Sequence, residues 1–275
     1  MPLATEVSTL SDGGIDFVVR IAELWRRKPE AGREPGDGGA APSAPGDDPF
    51  LPPYEPDLFV GELTATHVAL LNKFPALADH LLLVTRHYES QTAALTVADF
   101  EALLTGLAGV DGLAFYNGGR TAGASQPHRH LQLVPLPLGP GEVQPPVRRW
   151  FDAMAMPGPG PTCHPDLPFE HRVMPMPPAW LAEPTRAAVE AEAVYRRMWA
   201  ELGRHAEGWE QPEPFNLLAT REWLWLVPRR CEGVAGLSVN ALGFAGCLLA
   251  GDRERFATLE RIGPMALLAR VGFAR

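Results

Sequence analysis

The stretch GASQPHRHLQLVPLP, residues 123–137, carries two imidazoles and a carboxamide at alternating positions. In an extended strand successive side chains point to opposite faces, so His128, His130 and Gln132 share one face, with neighbours roughly 7 Å apart. Arg129, Leu131 and Leu133 take the other. Three chemistries fit this row. Imidazole works near neutral pH as base or nucleophile, so a central His130, held in one tautomer, could attack phosphorus while Gln132 grips an oxygen of the group in transfer. The HxH spacing also offers two metal ligands on one face, with no third fixed by local spacing. The plain alternative is a pair of half-buried histidines bonded to neighbouring backbone. The pattern HRHLQ leaves all three open.

The elements that must position this row are read from periodicity and punctuation. Residues 15–27, IDFVVRIAELWRR, space Ile15, Val18, Val19 and Ala22 as an amphipathic helix would. Residues 28–48 are too rich in Pro, Gly and small or charged residues to pack, and read as a flexible linker or loop. HVALLNKF and HLLLVTRHY form a candidate hairpin around Pro75–Asp79, and a capping box at Thr96 and Asp99 starts a helix near residue 97. LAFYNGG and HLQLVPLP are two further strands across a glycine-rich turn. A second Pro/Gly-rich stretch, 156–178, precedes a long helical pattern over 180–203. FNLLATREWLWLVPRR is another pair of strands, in which Trp223 and Trp225 face the same way, as core packing or as a platform for a base. GLSVNALGFAGCLLA reads as strand or loop, followed by a helix from about Asp252. The pattern is α+β with largely antiparallel sheet. The second strand pair faintly echoes the first, each ending in arginine.

The chain has 275 residues, 46% of them hydrophobic, enough for a sizeable core. Its 24 basic and 33 acidic residues give a net charge of -9, which argues against non-specific nucleic-acid binding and against attraction to an anionic membrane. Cations for a phosphate ligand must therefore be local. Three scattered cysteines suggest neither a disulfide framework nor a paired zinc site. With no basic start and apolar core of a secretory signal, and no apolar run of about 18 residues, the expectation is a soluble cytoplasmic protein.

Four segments, LNKFPALADHLLLVTR, FYNGGR, GASQPHRHLQ and FNLLATREWLWLVPRR, occur in an order that resembles the ATP adenylyltransferases, or diadenosine tetraphosphate phosphorylases, of the histidine-triad superfamily. The likeness spans roughly residues 48–250. It implies an α+β fold of two histidine-triad-like halves with antiparallel sheets and packed helices, divided as an N-terminal helix 1–27, a linker 28–48, a catalytic half 49–160 and a C-terminal half 161–275.

By the same resemblance His130 is the nucleophile, and His128 and Gln132 flank it as catalytic residues. Gln132 stands where the wider superfamily carries a third histidine, the variant seen in its transferases. The substrate-binding positions implied are Asn72 at the ribose, Lys73 and Asn117 at the phosphates, and Ser125 and Gln126 at the polyphosphate. His80 supports the catalytic strand, and Asn216 and Arg221 are the polar candidates of the second half. His67, His87, His164, His171 and His205 have no motif and read as surface or packing residues. The implied reaction is phosphorolysis of diadenosine tetraphosphate to ATP and ADP through an adenylylated histidine. Its partners are the dinucleotide, ATP, ADP and inorganic phosphate, with no tightly bound cofactor, no metal site and a divalent cation such as Mg carried in on the substrate. A hydrolase or another nucleotidylyltransferase on the same scaffold, and a nucleotide-binding sensor without turnover, remain as alternatives.

Overall fold

The computed structural model describes residues 6–21, 48–139, 144–154, 158, 160–204 and 213–275. It opens not with a helix but with an antiparallel hairpin, β1 (Glu6–Asp12) and β2 (Ile15–Ile21). Ile15, Phe17, Val19 and Ile21 are buried at every second position, and β-branched residues fit that pleat. Val18, buried as well, completes the spacing that mimics a helical stripe. Residues 22–27 of the expected helix and 28–47 of the expected linker lie outside the described residues.

Next in the chain come β3 (Phe59–Glu62), β4 (His67–Leu71), β5 (Leu81–Thr85), α1 (Val97–Gly109), β6 (Gly112–Gly118) and β7 (His130–Pro135). The hairpin and the helix start are where periodicity and capping put them. Thr96 donates from backbone and hydroxyl to the Asp99 carboxylate, at 2.7 and 2.8 Å. After α2 (Arg148–Ala153) and β8 (Arg172–Pro175), the long helix expected over 180–203 is divided into α3 (Pro178–Ala182) and α4 (Pro184–Glu201). Pro184 causes the break, since it has no N–H to donate and pushes the preceding residue off helical geometry. Strands β9 (Phe215–Ala219) and β10 (Trp223–Pro228) follow, then a small β11 (Gly233–Val234) and β12 (Leu237–Ser238) pair. The chain closes with α5 (Ala241–Phe244), β13 (Cys247–Ala250), α6 (Arg253–Ile262), N-capped by Asp252, and α7 (Pro264–Val271).

One eight-stranded sheet, ordered β3-β4-β5-β7-β6-β9-β10-β8, runs through both halves, and every neighbouring pair in it is antiparallel. The halves meet at β6 and β9, where Asn117 lies opposite Asn216. On one face Leu103, Leu107, Tyr195, Met198 and Trp199 of α1 and α4 pack on Leu133, Tyr116 and Phe215. The other face is covered at the β9–β10 end by the N-terminal hairpin and the C-terminal helices, with Phe17, Val19, Phe244 and Leu268 against Leu218 and Trp225. The N-terminal hairpin is no separate unit, because β2 pairs in parallel with β13 of the C-terminal half. Trp223 and Trp225 are fully buried among Trp150, Phe151 and Phe169, so they are core. At the β4–β5 end a smaller cluster of Phe50, Val68, Leu70, Leu82 and Val84 lies on the same face. The polar row sits between these two clusters.

Candidate active site

Strand β7 begins at His130, and His128, just before it, makes an isolated antiparallel bridge to Ser90. The His130 ring is buried, and its Nδ1 lies 2.8 Å from the carbonyl oxygen of His128. A carbonyl only accepts, so Nδ1 carries a proton, and in the neutral form of the ring the lone pair is on Nε2. The backbone is held as firmly. His130 N donates to Gln91 Oε1 at 2.8 Å, while Gln91 Nε2 donates to Asn117 O at 2.9 Å and to His130 O at 3.2 Å. The buried Gln91 amide thus replaces a rung of the β6–β7 ladder where the two strands separate. Gln91 is itself fixed by Tyr116, whose hydroxyl donates to its backbone oxygen at 2.6 Å.

His128 has a different task. Its Nδ1 meets the Asp48 carboxylate at 2.6 Å, and its Nε2 meets Thr85 O at 2.8 Å and Thr85 Oγ1 at 2.9 Å. Both ring nitrogens are engaged by oxygens of the protein, which leaves neither turned to a metal or to an attack. It orients: its carbonyl is the group that sets the His130 tautomer. Phe50 packs over both rings, with centroids 5.1 Å from His130 and 5.9 Å from His128.

Gln132, on the face it shares with His130, accepts at Oε1 from His80 Nε2 at 2.9 Å. The His80 ring is buried and its pKa is lowered to about 4, chiefly by desolvation, with the Gln132 hydrogen bond opposing and nearby His130 adding to it. Asn72 contacts His80 Nδ1 at 3.3 Å. On the helical face of β7, Arg129 bonds Glu89 at 2.6 Å and Asp99 at 3.0 Å. Burial would raise the Asp99 carboxyl, but the contact with His67 and the charge of Arg129 outweigh it and hold it below its ordinary value. That ion cluster anchors the residue between the two histidines.

The remaining expected residues divide. Asn117 stands beside His130, but its Oδ1 accepts from Asn216 Nδ2 at 2.8 Å and from Ala241 N at 3.0 Å, which knits the two halves together. Asn216 in turn accepts from the buried Arg229 at 2.6 Å and donates to Ala122 O at 2.9 Å. These bonds hold the turn that carries Ser125, which is exposed, and Gln126, which is half-buried. Lys73 is not brought to the row: half exposed, it pairs with Glu55 at 2.6 Å. Arg221 bonds Leu107 O and Ala108 O, closing the C-terminus of α1 rather than lining the site. Residues that sequence reasoning missed are Asp48, Phe50, Thr85 and Gln91. Asp48 and Phe50 had one signal, an acid followed by the first aromatic after the Pro/Gly run. Gln91 had none.

A histidine whose Nδ1 is held by a carbonyl, on the same face as an oriented carboxamide, can take part in covalent group transfer. Family comparison agrees on the class. The model of the Ap4A phosphorylase N-terminal domain matches residues 1–153, and that of the ATP adenylyltransferase C-terminal domain matches residues 165–274. The chain belongs to the Ap4A phosphorylase family, whose members are nucleotidyltransferases. It is 29% identical over 238 residues to diadenosine 5',5'''-P1,P4-tetraphosphate phosphorylase 2 of Saccharomyces cerevisiae, covering 78% of this chain and 71% of that protein. It is 28% identical over 254 residues to Protein APA1 of the same yeast, covering 84% and 74%. The crystal structure of yeast Ap4A phosphorylase Apa2 in complex with Ap4A shares the fold, with a TM-score of 0.75, 23% identity and coverage of 100% of this chain and 91% of that one. The complex of Apa2 with AMP gives 0.73 at 24% identity, covering 100% and 90%.

Proposed function

We propose that this protein phosphorolyses diadenosine tetraphosphate to ATP and ADP by a two-step transfer on His130. Nε2 attacks an α-phosphorus, a P–N bond forms and the P–O bond to ATP breaks. An oxygen of inorganic phosphate then attacks the same phosphorus, the P–N bond breaks and ADP leaves. The observation that carries this reading is the Nδ1 bond of His130 to the His128 carbonyl, which puts the lone pair on Nε2 beside Gln132. Names of the yeast relatives support the substrate. The HxHxQ row supports membership of the transferase branch of the histidine-triad superfamily. Positioning and electrostatic stabilisation of the phosphoryl oxygens supply most of the rate.

A divalent cation such as Mg would arrive on the polyphosphate as part of the substrate. Among the described residues no group of three or more His, Cys, Asp or Glu side chains is arranged to hold a metal. No helix among them is long and apolar enough to cross a membrane, and the net charge of -9 argues against nucleic acid or an anionic membrane surface as partner, so the cations or amides that meet a phosphate ligand must be local. Product analysis with diadenosine tetraphosphate, with and without phosphate, tests the reading. ATP plus ADP formed only with phosphate is expected, and in its absence an acid-labile, alkali-stable adenylyl group on His130. AMP with ATP would mean hydrolysis, and binding without products would mean a sensor.

A further inference from the structure

The hydrogen bonds behind Gln132 have a direction, and one backbone group sets it. Phe74 N lies 3.0 Å from the near atom of the Asn72 carboxamide. A backbone N–H can only donate, so that atom is Oδ1. The other end of the carboxamide is then an NH2 group, and it faces His80 Nδ1 at 3.3 Å. This nitrogen must hold the lone pair, which places the ring proton on Nε2. Nε2 donates across 2.9 Å to Gln132, whose accepting atom is Oε1. With its carbonyl occupied from behind, Gln132 turns its NH2 away from His80, on the face it shares with His130. Reversing any member requires reversing all of them, and the last reversal would set Asn72 NH2 against Phe74 N–H. The anchoring is local and strong: Asn72 N also donates to His80 O at 2.8 Å.

We propose that Asn72 is a positioning residue of the transfer reaction, which acts through His80 to make Gln132 present a hydrogen-bond donor, not an acceptor, to the phosphoryl group on His130. A carboxamide in the opposite sense would aim a carbonyl oxygen at a phosphoryl oxygen, repelling the charge that the donor stabilises. The relay also explains why a buried histidine stands just before β5 with no ion-pair partner among the described residues: it must stay neutral, because a proton on Nδ1 would oppose the Asn72 NH2. The inference rests on the transfer function proposed above for His130. It gives Asn72 a role through Gln132, in place of the ribose contact that the family resemblance implies.

Two measurements test it. Long-range 15N–1H correlation on the wild-type protein, with the His80 signals assigned from their loss in His80→Gln, should show the neutral Nε2–H tautomer. An Nδ1–H tautomer overturns the relay, whatever reaction the protein catalyses. In phosphorolysis assays Asn72→Ala and His80→Leu should each lower kcat by about 10–100-fold, part of the loss seen on deleting such a donor, with AMP affinity changed less than about threefold. His80→Gln, which carries an acceptor and a donor at comparable separation, should retain activity within about fivefold. Equal losses in the Leu and Gln variants, or an Asn72→Ala variant with weakened AMP binding and unchanged kcat, overturn the proposal. Absence of phosphorolysis in the wild type would sink the transfer function instead, with the tautomer still deciding the relay.

Discussion

His130 and His171 are held alike on one side and differently on the other. Both are buried, His130 at the start of β7 and His171 immediately before β8, and each donates from Nδ1 across 2.8 Å to the carbonyl two residues earlier, His128 or Phe169. The surroundings of the two rings differ. His171 Nε2 accepts the backbone N–H of His164 at 2.8 Å, and the ring sits against Phe169 and Trp225. Two residues beyond it, at the place Gln132 takes after His130, stands Val173. Burial lowers the His171 pKa to about 4, against the bond to Phe169 and with help from Arg275, His164 and Arg172. Fixing a tautomer is therefore common to both sites and does not by itself make a nucleophile. What distinguishes His130 is an adjacent oriented amide and a backbone clamped from outside its own strand.

A matched pair of variants breaks this comparison most severely. Asparagine can imitate the Nδ1 donor of histidine while deleting Nε2, so His130→Asn should stay folded yet lose on the order of 10³-fold or more in kcat/KM. His171→Asn, with the same donor kept, should stay within about threefold per folded molecule. Comparable losses in both, measured by steady-state phosphorolysis, would remove the distinction. Gln132→Ala should cost about 10- to 10³-fold, as for one donor to a developing oxyanion, with its effect in kcat.

Acid should expose the shared feature of the buried rings. His80 and His171 fall from 6.5 to about 4 on folding, so the unfolded chain binds more protons between those values. Stability is intact above about pH 6.5 and declines as pH falls towards 4, by up to about 3 kcal/mol for each ring. Urea midpoints against pH should show this, and His171→Asn should reduce the slope by about one proton. Gln91→Leu is the gentler probe: it strips His130 N of its acceptor and should cost about 1–3 kcal/mol, with kcat falling more than AMP affinity because the strand end carrying His130 loosens.

Much of this was legible in the residues, and the failures have identifiable reasons. The hairpin around LNKF, the start of α1 and the strand carrying HLQLV follow from alternation and capping, which involve near neighbours. The expected first helix is a strand because IDFVVRI is buried at Val18 as well as at alternate positions, through the parallel contact of β2 with β13. Composition puts Asp48 at the end of a linker because it describes only how a segment packs with itself. Its partner, His128, is 80 positions away. Lys73 belonged to a motif, yet the fold gives it Glu55 and an exposed setting.

By itself the sequence determined that His128, His130 and Gln132 alternate along an extended segment, and that the chain is an α+β protein resembling a nucleotidyl transferase. Those conclusions rest on periods of two and 3.6 residues, which covalent geometry imposes wherever a strand or helix forms. Only the tertiary structure decided which nitrogen of each imidazole holds a proton, which amide end faces forward, and that Asn117, Asn216 and Arg229 tie the halves together beside the site. A buried polar group must find a partner at about 3 Å with the right donor or acceptor sense. Which residue supplies it depends on chain segments that meet only when the whole sheet closes.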